Sequence, residues 1–520
     1  MTLDVAIRNG RLIDGTGRPA YAADIGIAAD RIVAIGDVAA AATELDARGL
    51  EVTPGFVDIH SHSDYTLLLD PRAVSALHQG VTTEIVGNCG HGCFPIGDPA
   101  LAQRAIYGYS AALPLTWRTA GGYFERLEEA APAVNVASLV PNGQLRLATV
   151  GLEDRPASRE ERDAMCVLLE ESMEQGAWGY STGLEYAAER AAPPDELEHL
   201  CARCARHGGL YATHTRRRDA GSDEAVHEAV ETAERSGVRL QVSHLVPRNG
   251  DDATRACIEH VERAAERGLD VAFDMHTRLF GTTFLSSALP PAFLTGGGIG
   301  SDAWKRDALR AMASYTSILS AGEDWSRIVL LDNDLWPGYA RRDLASIASE
   351  RRQTPEEAIC DLLAADPEAL GEHMVIIHCY TEEQQAEAFH HPLCTPGSDA
   401  TTLAPDGPLE GSTFHGAYTW AAWFLRFMVR ERRLLSLEEA VKRLTSDPAR
   451  RIGLPGRGVL EVGAYADLNV LDAGRVSERG TTFEPNRLAT GVRHVLVNGD
   501  LALADGTLTG RRAGRVLRRG

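Results

Sequence analysis

Apolar and polar residues alternate over the opening stretch of the chain, in VAIRNGRLI, ADIGIAA and DRIVAIGDV, and Gly, Asp and Asn turns separate the runs. Strand side chains point alternately to two faces, so this pattern predicts an antiparallel sheet. From Thr53 to roughly Ala440 the pattern changes. Brief apolar runs (GFVDIH, TTEIVG, NVASLV, GLYATH, RLQVSH, LDVAFD, RIVLLD, MVIIH) are now separated by amphipathic segments such as ASREERDAMCVLLEESMEQ and DEAVHEAVETAERSG. Strand then helix, repeated about eight times, predicts an α/β fold with a closed parallel sheet, the (β/α)8 barrel. The stretch from about 285 to 345, with LPPAFLTGGGIGSDAW, is too long for a plain connection and predicts a small insertion. Short strands return after SLEEAVKRLTSDPARRIG, in GVLEVGAYADLNVLD and VRHVLVNGDLALADG. Residues 1–54 and 441–520 are therefore expected to build one small β-sandwich domain, with the barrel of 55–440 inserted between them.

Composition narrows the partners. The 520 residues are 44% hydrophobic, enough for a large core and more than one structural unit. Lys plus Arg number 52 against 73 Asp plus Glu, and a net charge of −21 repels nucleic acid and anionic membrane surfaces. A small-molecule substrate is expected instead. The start MTLDVAIRNGRLIDG lacks the basic and apolar regions of a secretion signal, and no apolar run has membrane-spanning length. Nine scattered cysteines, an odd number, fit reduced thiols, so a cytoplasmic location is expected.

Candidate chemistry sits where the apolar runs end. His60 and His62 in TPGFVDIHSHSD are two apart, so a strand would present both imidazoles on one face, able to hold one ion. Chance, or a pair of packed histidines, explains an isolated HxH as well. Cys89 in TTEIVGNCG, His214 in GLYATHTR and His244 in RLQVSHL each close an apolar run before a polar loop. Sulfur and imidazole donors suit zinc, although each alone also fits a packed or loop residue. Asp399 in CTPGSDA reads either as a turn former or as a carboxylate at the end of the eighth barrel strand.

The chain resembles the amidohydrolase superfamily, and within it the N-acyl-D-amino-acid deacylase (D-aminoacylase) group. The resemblance rests on PGFVDIHSHSD (54–64), GVTTEIVGNCG (80–90), STGLEY (181–186), GLYATHTR (209–216), VSHL (242–245), GSDA (397–400) and AYADLNVLD (464–472), in the order that family shows them. It implies that Cys89, His214 and His244 hold one zinc tightly, that His60 and His62 line a second, weaker metal position, and that Asp399 is the general acid/base. It also implies hydrolysis of a non-peptide amide bond. Zinc would lower the pKa of its water toward about 7, and Asp399 would take the water's proton and pass it to the departing nitrogen. The cysteine disfavours the carboxylated lysine that bridges two metals in hydantoinase relatives.

The carboxylate clamp of that family is not kept. Val246 stands where a lysine is usual, His276 and Arg278 replace tyrosines, and Ala417 takes the place of an arginine if His415 aligns with the family histidine. An altered pocket follows, with Arg216, His276, Arg278 and His415 as the expected substrate-binding residues. Arg217, Arg218 and Arg248 are expected in solvated loops. Phe414 and Tyr418 are candidates for an apolar wall, whereas Trp420, Trp423 and Phe424 are expected in the core by their helical spacing. His91, Cys93, His373, His378 and Cys379 are expected to pack or to support the site. A cyclic-amide hydrolase or deaminase on the same barrel, and a non-catalytic binding scaffold, stay open as alternatives.

Overall fold

A computed structural model describes residues 2–248, 250–294, 298–315, 317, 319, 324–367 and 373–520. Eight short parallel strands carry the centre of the molecule: Phe56–Asp58, Val81–Val86, Asn135–Ser138, Gly179–Gly183, Leu210–His214, Arg239–Val242, Val271–His276 and Cys394–Gly397. The first three pair in chain order. The last five pair in chain order as well, and Val140–Pro141 adds itself beside Gly179–Gly183. At one junction the Trp178 N–H donates to Ser138 O at 2.8 Å. At the other, the Asp399 N–H donates to His60 O at 2.8 Å and the His62 N–H to Ala400 O at 2.9 Å. Arg239 alone among the residues of these eight strands is only half-buried, as expected where both faces of a parallel sheet are covered.

Helices cover the outer face, and their sequences say where they start. Before Arg159–Glu174, the Ser158 hydroxyl accepts the Glu161 N–H while the Glu161 carboxylate accepts the Ser158 N–H. This reciprocal cap satisfies two of the otherwise orphaned donors of the first turn. Met165, Cys166, Leu169 and Met173, three or four residues apart, form its buried stripe.

Two of the apolar runs belong elsewhere. Ile328–Leu330, from RIVLLD, and Met374–His378, from MVIIH, lie with Phe280–Phe284 in a separate three-stranded antiparallel sheet. Short apolar runs look alike in parallel and antiparallel sheets, so periodicity could not separate them. The insertion therefore runs from about Phe280 to His378, wider than 285–345, and carries the helices Asp302–Met312, Leu344–Arg351 and Pro355–Ala365. Residues 295–297, 316, 318 and 320–323 of the expected insertion lie outside the described residues.

The chain ends share one sheet. Leu468–Leu471 pairs antiparallel with Glu51–Pro54, which pairs in turn with Leu3–Leu12. Val5, Ile7, Leu12, Ile27, Val52, Leu468 and Val470 pack one core of that sheet. A buried polar knot ties it to the third parallel strand: the Asn498 amide donates to Asn135 Oδ1 at 2.8 Å, and Arg457 pairs with Asp467.

Candidate metal centre

All eight parallel strands end on the same side, and the expected site residues cluster there. His214 and His276 are the last residues of their strands; His60, His62, Cys89, His244 and Asp399 lie within four residues of theirs. Three of these hold left-handed backbone conformations: Cys89 (φ 53°), His244 (φ 35°) and Asp399 (φ 44°). Each costs a non-glycine residue about 1–3 kcal/mol, so the surroundings must hold it. They do so through hydrogen bonds. The His244 N–H donates to Asp274 Oδ1 at 2.8 Å. Beyond Cys89, Gly90 (φ 71°) has no space for a side chain, since a Cβ there would stand 1.7 Å from Glu189 Oε1.

The donors converge. Cys89 Sγ is 3.1 Å from His60 Nε2 and 3.5 Å from His244 Nε2. Asp399 Oδ1 is 3.4 Å from His60 Nε2 and 3.3 Å from His62 Nε2. Ligand atoms of His60, His62, Cys89 and Asp399 all lie within 4.8 Å of one another, as do those of Cys89, His214 and His244. Donors around a tetrahedral zinc, at roughly 2.0–2.3 Å from the ion, stand about 3.5 Å apart, which matches this spacing. The chemistry fits as well. Burial pushes the Cys89 thiol up to about 11 and the His60 contact offsets this only in part, so a thiolate here calls for a cation beside it. Cys89 belongs to both groups and links them.

Supporting carboxylates orient the rings. Asp274 Oδ1 is 2.9 Å from His60 Nδ1, and its other oxygen accepts from Gln241 at 3.0 Å. Glu185 Oε2 is 2.9 Å from His214 Nε2, and the same carboxylate takes a bidentate pair from Arg248, with both distances 2.9 Å. Asp399 itself is gripped by Arg278, whose Nη2 lies 2.7 Å from Oδ2. Burial would raise the Asp399 carboxyl, but the Arg278 charge and the His62 hydrogen bond outweigh it and hold the group well below the ordinary carboxylate range. Burial, aided by the charge of Arg218, keeps His244 neutral, the form in which imidazole ligates a metal.

A cavity of about 620 Å³ opens over the cluster. His276 and Arg278 line it, as expected. Arg216 does not. Its guanidinium is spent on Glu228 at 2.8 Å and on the carbonyls of Arg190 and Ala192, both at 2.7 Å, because the chain turns outward immediately after Thr215. His415 is also outside the lining: it opens the helix His415–Phe424, and its ring packs on Phe280 at 5.2 Å. Arg218 and Arg248, expected in solvated loops, are buried and line the cavity. Phe414 lines it too, while Tyr418, Trp420, Trp423 and Phe424 are buried in helix packing.

Sequence reading assigned no role to Asp274, Glu185, Tyr186 or Tyr380. For Asp274 a signal existed: in VAFDMH it alternates onto the same face as His276. For Glu185, in STGLEY, nothing local marks the partner 63 residues away. Of the expected supporting residues, His91 lines the cavity, Cys93 and Cys379 are buried, and His378 is exposed at the end of an insertion strand.

Comparison with known proteins adds the following. The profile described as Amidohydrolase family matches residues 43–288 and 397–502, leaving out most of the insertion. The chain is 34% identical over 524 residues to an N-acyl-D-glutamate deacylase of Alcaligenes xylosoxydans xylosoxydans, covering 99% of this chain and 97% of that one. With a D-aminoacylase of the same organism it shares 31% identity over 99% of this chain and 98% of the other. The crystal structure of an N-acyl-D-glutamate deacylase from Bordetella bronchiseptica, complexed with zinc and a phosphonate mimic of the tetrahedral intermediate, superposes with a TM-score of 0.82, at 31% identity and 100% coverage of both chains.

Proposed function

The chain belongs to the amidohydrolase family, and from that premise we propose that it deacylates small N-acyl amino acids at a zinc centre held by Cys89, His214 and His244. It is a hydrolase of C–N bonds other than peptide bonds. His60 and His62 form a second, weaker metal position that shares Cys89, and Asp399 is the general acid/base. The observation that carries this reading is convergence: five nitrogen and sulfur donors from the ends of four strands meet beside one carboxylate. Glu185 on His214 and Asp274 on His60 make the outer hydrogen bonds that fix metal-ligating imidazoles.

Zinc bound there supplies a Lewis acid for the scissile carbonyl and an acidified water, whose pKa falls from 15.7 toward about 7. The rest of the chemistry belongs to the chain. Asp399 is ionised at neutral pH, so it accepts the proton of the attacking water. It then returns that proton to the departing nitrogen, which is too basic to leave as an anion. Arg278 and His62 hold the carboxylate in place from two sides.

Finer features of the fold follow the same reading. The hydrogen bonds from Trp178 to Ser138 and from Asp399 to His60 support closure of the eight strands into a (β/α)8 barrel within 55–440. The shared sheet of the chain ends supports a β-sandwich domain from 1–54 and 441–520. Nine free, buried cysteines fit a reducing compartment and a cytoplasmic location; no helix among the described residues is long and apolar enough to cross a membrane.

The test is to load the purified protein with zinc and screen N-acyl-D- and N-acyl-L-amino acids beside hydantoins and lactams, with Asp399→Asn as control. N-acyl amino acids should be hydrolysed in proportion to zinc content. Asp399→Asn should keep its zinc and lose turnover by roughly 100- to 10,000-fold. Hydrolysis of the cyclic amides alone, or near-normal turnover by the Asn variant, would overturn the reading.

A further inference from the structure

The charge of the cavity runs against that of the chain. A molecule with a net charge of −21 lines this one space with four arginines (104, 218, 248 and 278) against two carboxylates, Glu185 and Asp399. Two of the arginines are matched: Arg248 by Glu185 at 2.9 Å and Arg278 by Asp399 at 2.7 Å. Arg104 stands exposed in solvent. Arg218 is different. Only 6% of it is exposed, and among the described residues no carboxylate lies within 4.0 Å of it. Its partners are all neutral and all use Nη2: the carbonyls of His244 at 2.6 Å and Val246 at 3.1 Å, and the Tyr380 hydroxyl at 2.9 Å. Among the described residues Nη1 and Nε make no hydrogen bond.

Burying a guanidinium without a countercharge is costly, and proteins otherwise pair such a group or keep it in water. Here Nη2 is held by three acceptors, and Arg218, with Nη1 and Nε free of hydrogen bonds, lines the cavity beside His244. Nη2 belongs to both two-donor edges of the guanidinium, so a carboxylate would meet the free Nη1 or Nε through a single charge-assisted N–H, reinforced by the unmatched charge. We propose that Arg218 is the receptor for the carboxylate of the substrate and so determines specificity for acidic N-acyl compounds. For the reaction, though not for the binding, this rests on the deacylase reading above. Ile106, Phe284, Met374 and Phe414 give the cavity lining an apolar part, so a probe with an aromatic acyl group suits it.

The test compares N-benzoyl-D-alanine with its primary carboxamide, which differs only in lacking the charge. Binding to the zinc-loaded protein is followed by calorimetry, and hydrolysis is measured separately. Wild type should prefer the acid by roughly 10- to 100-fold, the range of a charge-assisted hydrogen bond. Arg218→Gln should reduce that preference to about threefold or less, by weakening binding of the acid while the carboxamide changes little, and Arg218→Lys should keep an intermediate preference. If Arg218 served only to hold the turn at His244, zinc content and both compounds would fall together with their ratio intact, which would overturn the proposal. So would a wild type with no preference for the acid. Arg218-dependent binding of the acid without hydrolysis of either compound would support the receptor and count against the deacylase reading.

Discussion

The floor and the wall of the cavity are made from the ends of the same strands, yet their electrostatics are opposite. On the floor, burial holds His244 neutral and raises the Cys89 thiol, and the donors crowd within 4.8 Å of one another. On the wall, Arg248 and Arg278 are matched by carboxylates, whereas the buried Arg218 is not. The floor thus gathers sulfur and imidazole donors that suit a metal cation, and the wall carries a buried guanidinium with no carboxylate partner. On the proposed reading, a zinc ion suits the first and an anionic substrate the second, and an acidic chain would then favour an acidic ligand at one place.

Four substitutions test this contrast between floor and wall. The largest effect is expected from Cys89→Ala, because this sulfur touches both donor groups. Zinc measured by atomic emission should fall to a small fraction of one per chain, and turnover by about a thousandfold or more. Asp274→Asn comes next. It keeps the volume but weakens the acceptor that serves both the His60 ring and the strained His244 N–H, so chelator competition should show zinc held about 10- to 100-fold less tightly. Smaller again is Arg278→Gln, which removes the cation opposing burial at Asp399. Its carboxyl should rise, so the acid limb of the pH–rate profile should move to higher pH while kcat at neutral pH falls about tenfold. The sign is the informative part: a folded pKa below the ordinary value keeps the base available until the pH falls through it, and the variant gives up that margin. The smallest change is expected at the rim, where Phe284→Ser in the insertion should alter kcat/KM for N-benzoyl substrates by about threefold or less.

The insertion and the eight parallel strands also differ in how readable they were. Runs such as TTEIVG, GLYATH and RLQVSH end in a donor or just before one, so chain order and strand periodicity together pointed to a common edge. RIVLLD and MVIIH look the same on paper but lie in the antiparallel sheet of the insertion. Gly179–Gly183, with a Ser, a Thr and two glycines, carries too little apolar signal to be picked out as a strand. Among the charged residues the loss was greater. Arg218 and Arg248 follow their strands as loop arginines ordinarily do, and nothing local separates a solvated guanidinium from one folded back into a cavity.

Local periodicity and residue chemistry were enough to indicate an α/β architecture and the donors that gather at one end of the strands, and the family resemblance of the motifs implied the reaction class. Which arginine lines the cavity, which carboxylate steadies which imidazole, and which backbone turns are strained depended on contacts between residues up to 337 positions apart. The physical reason is that a strand's pattern records only which of its faces is buried. Charge pairing is decided by what lies across the cavity, and that is a property of the folded whole.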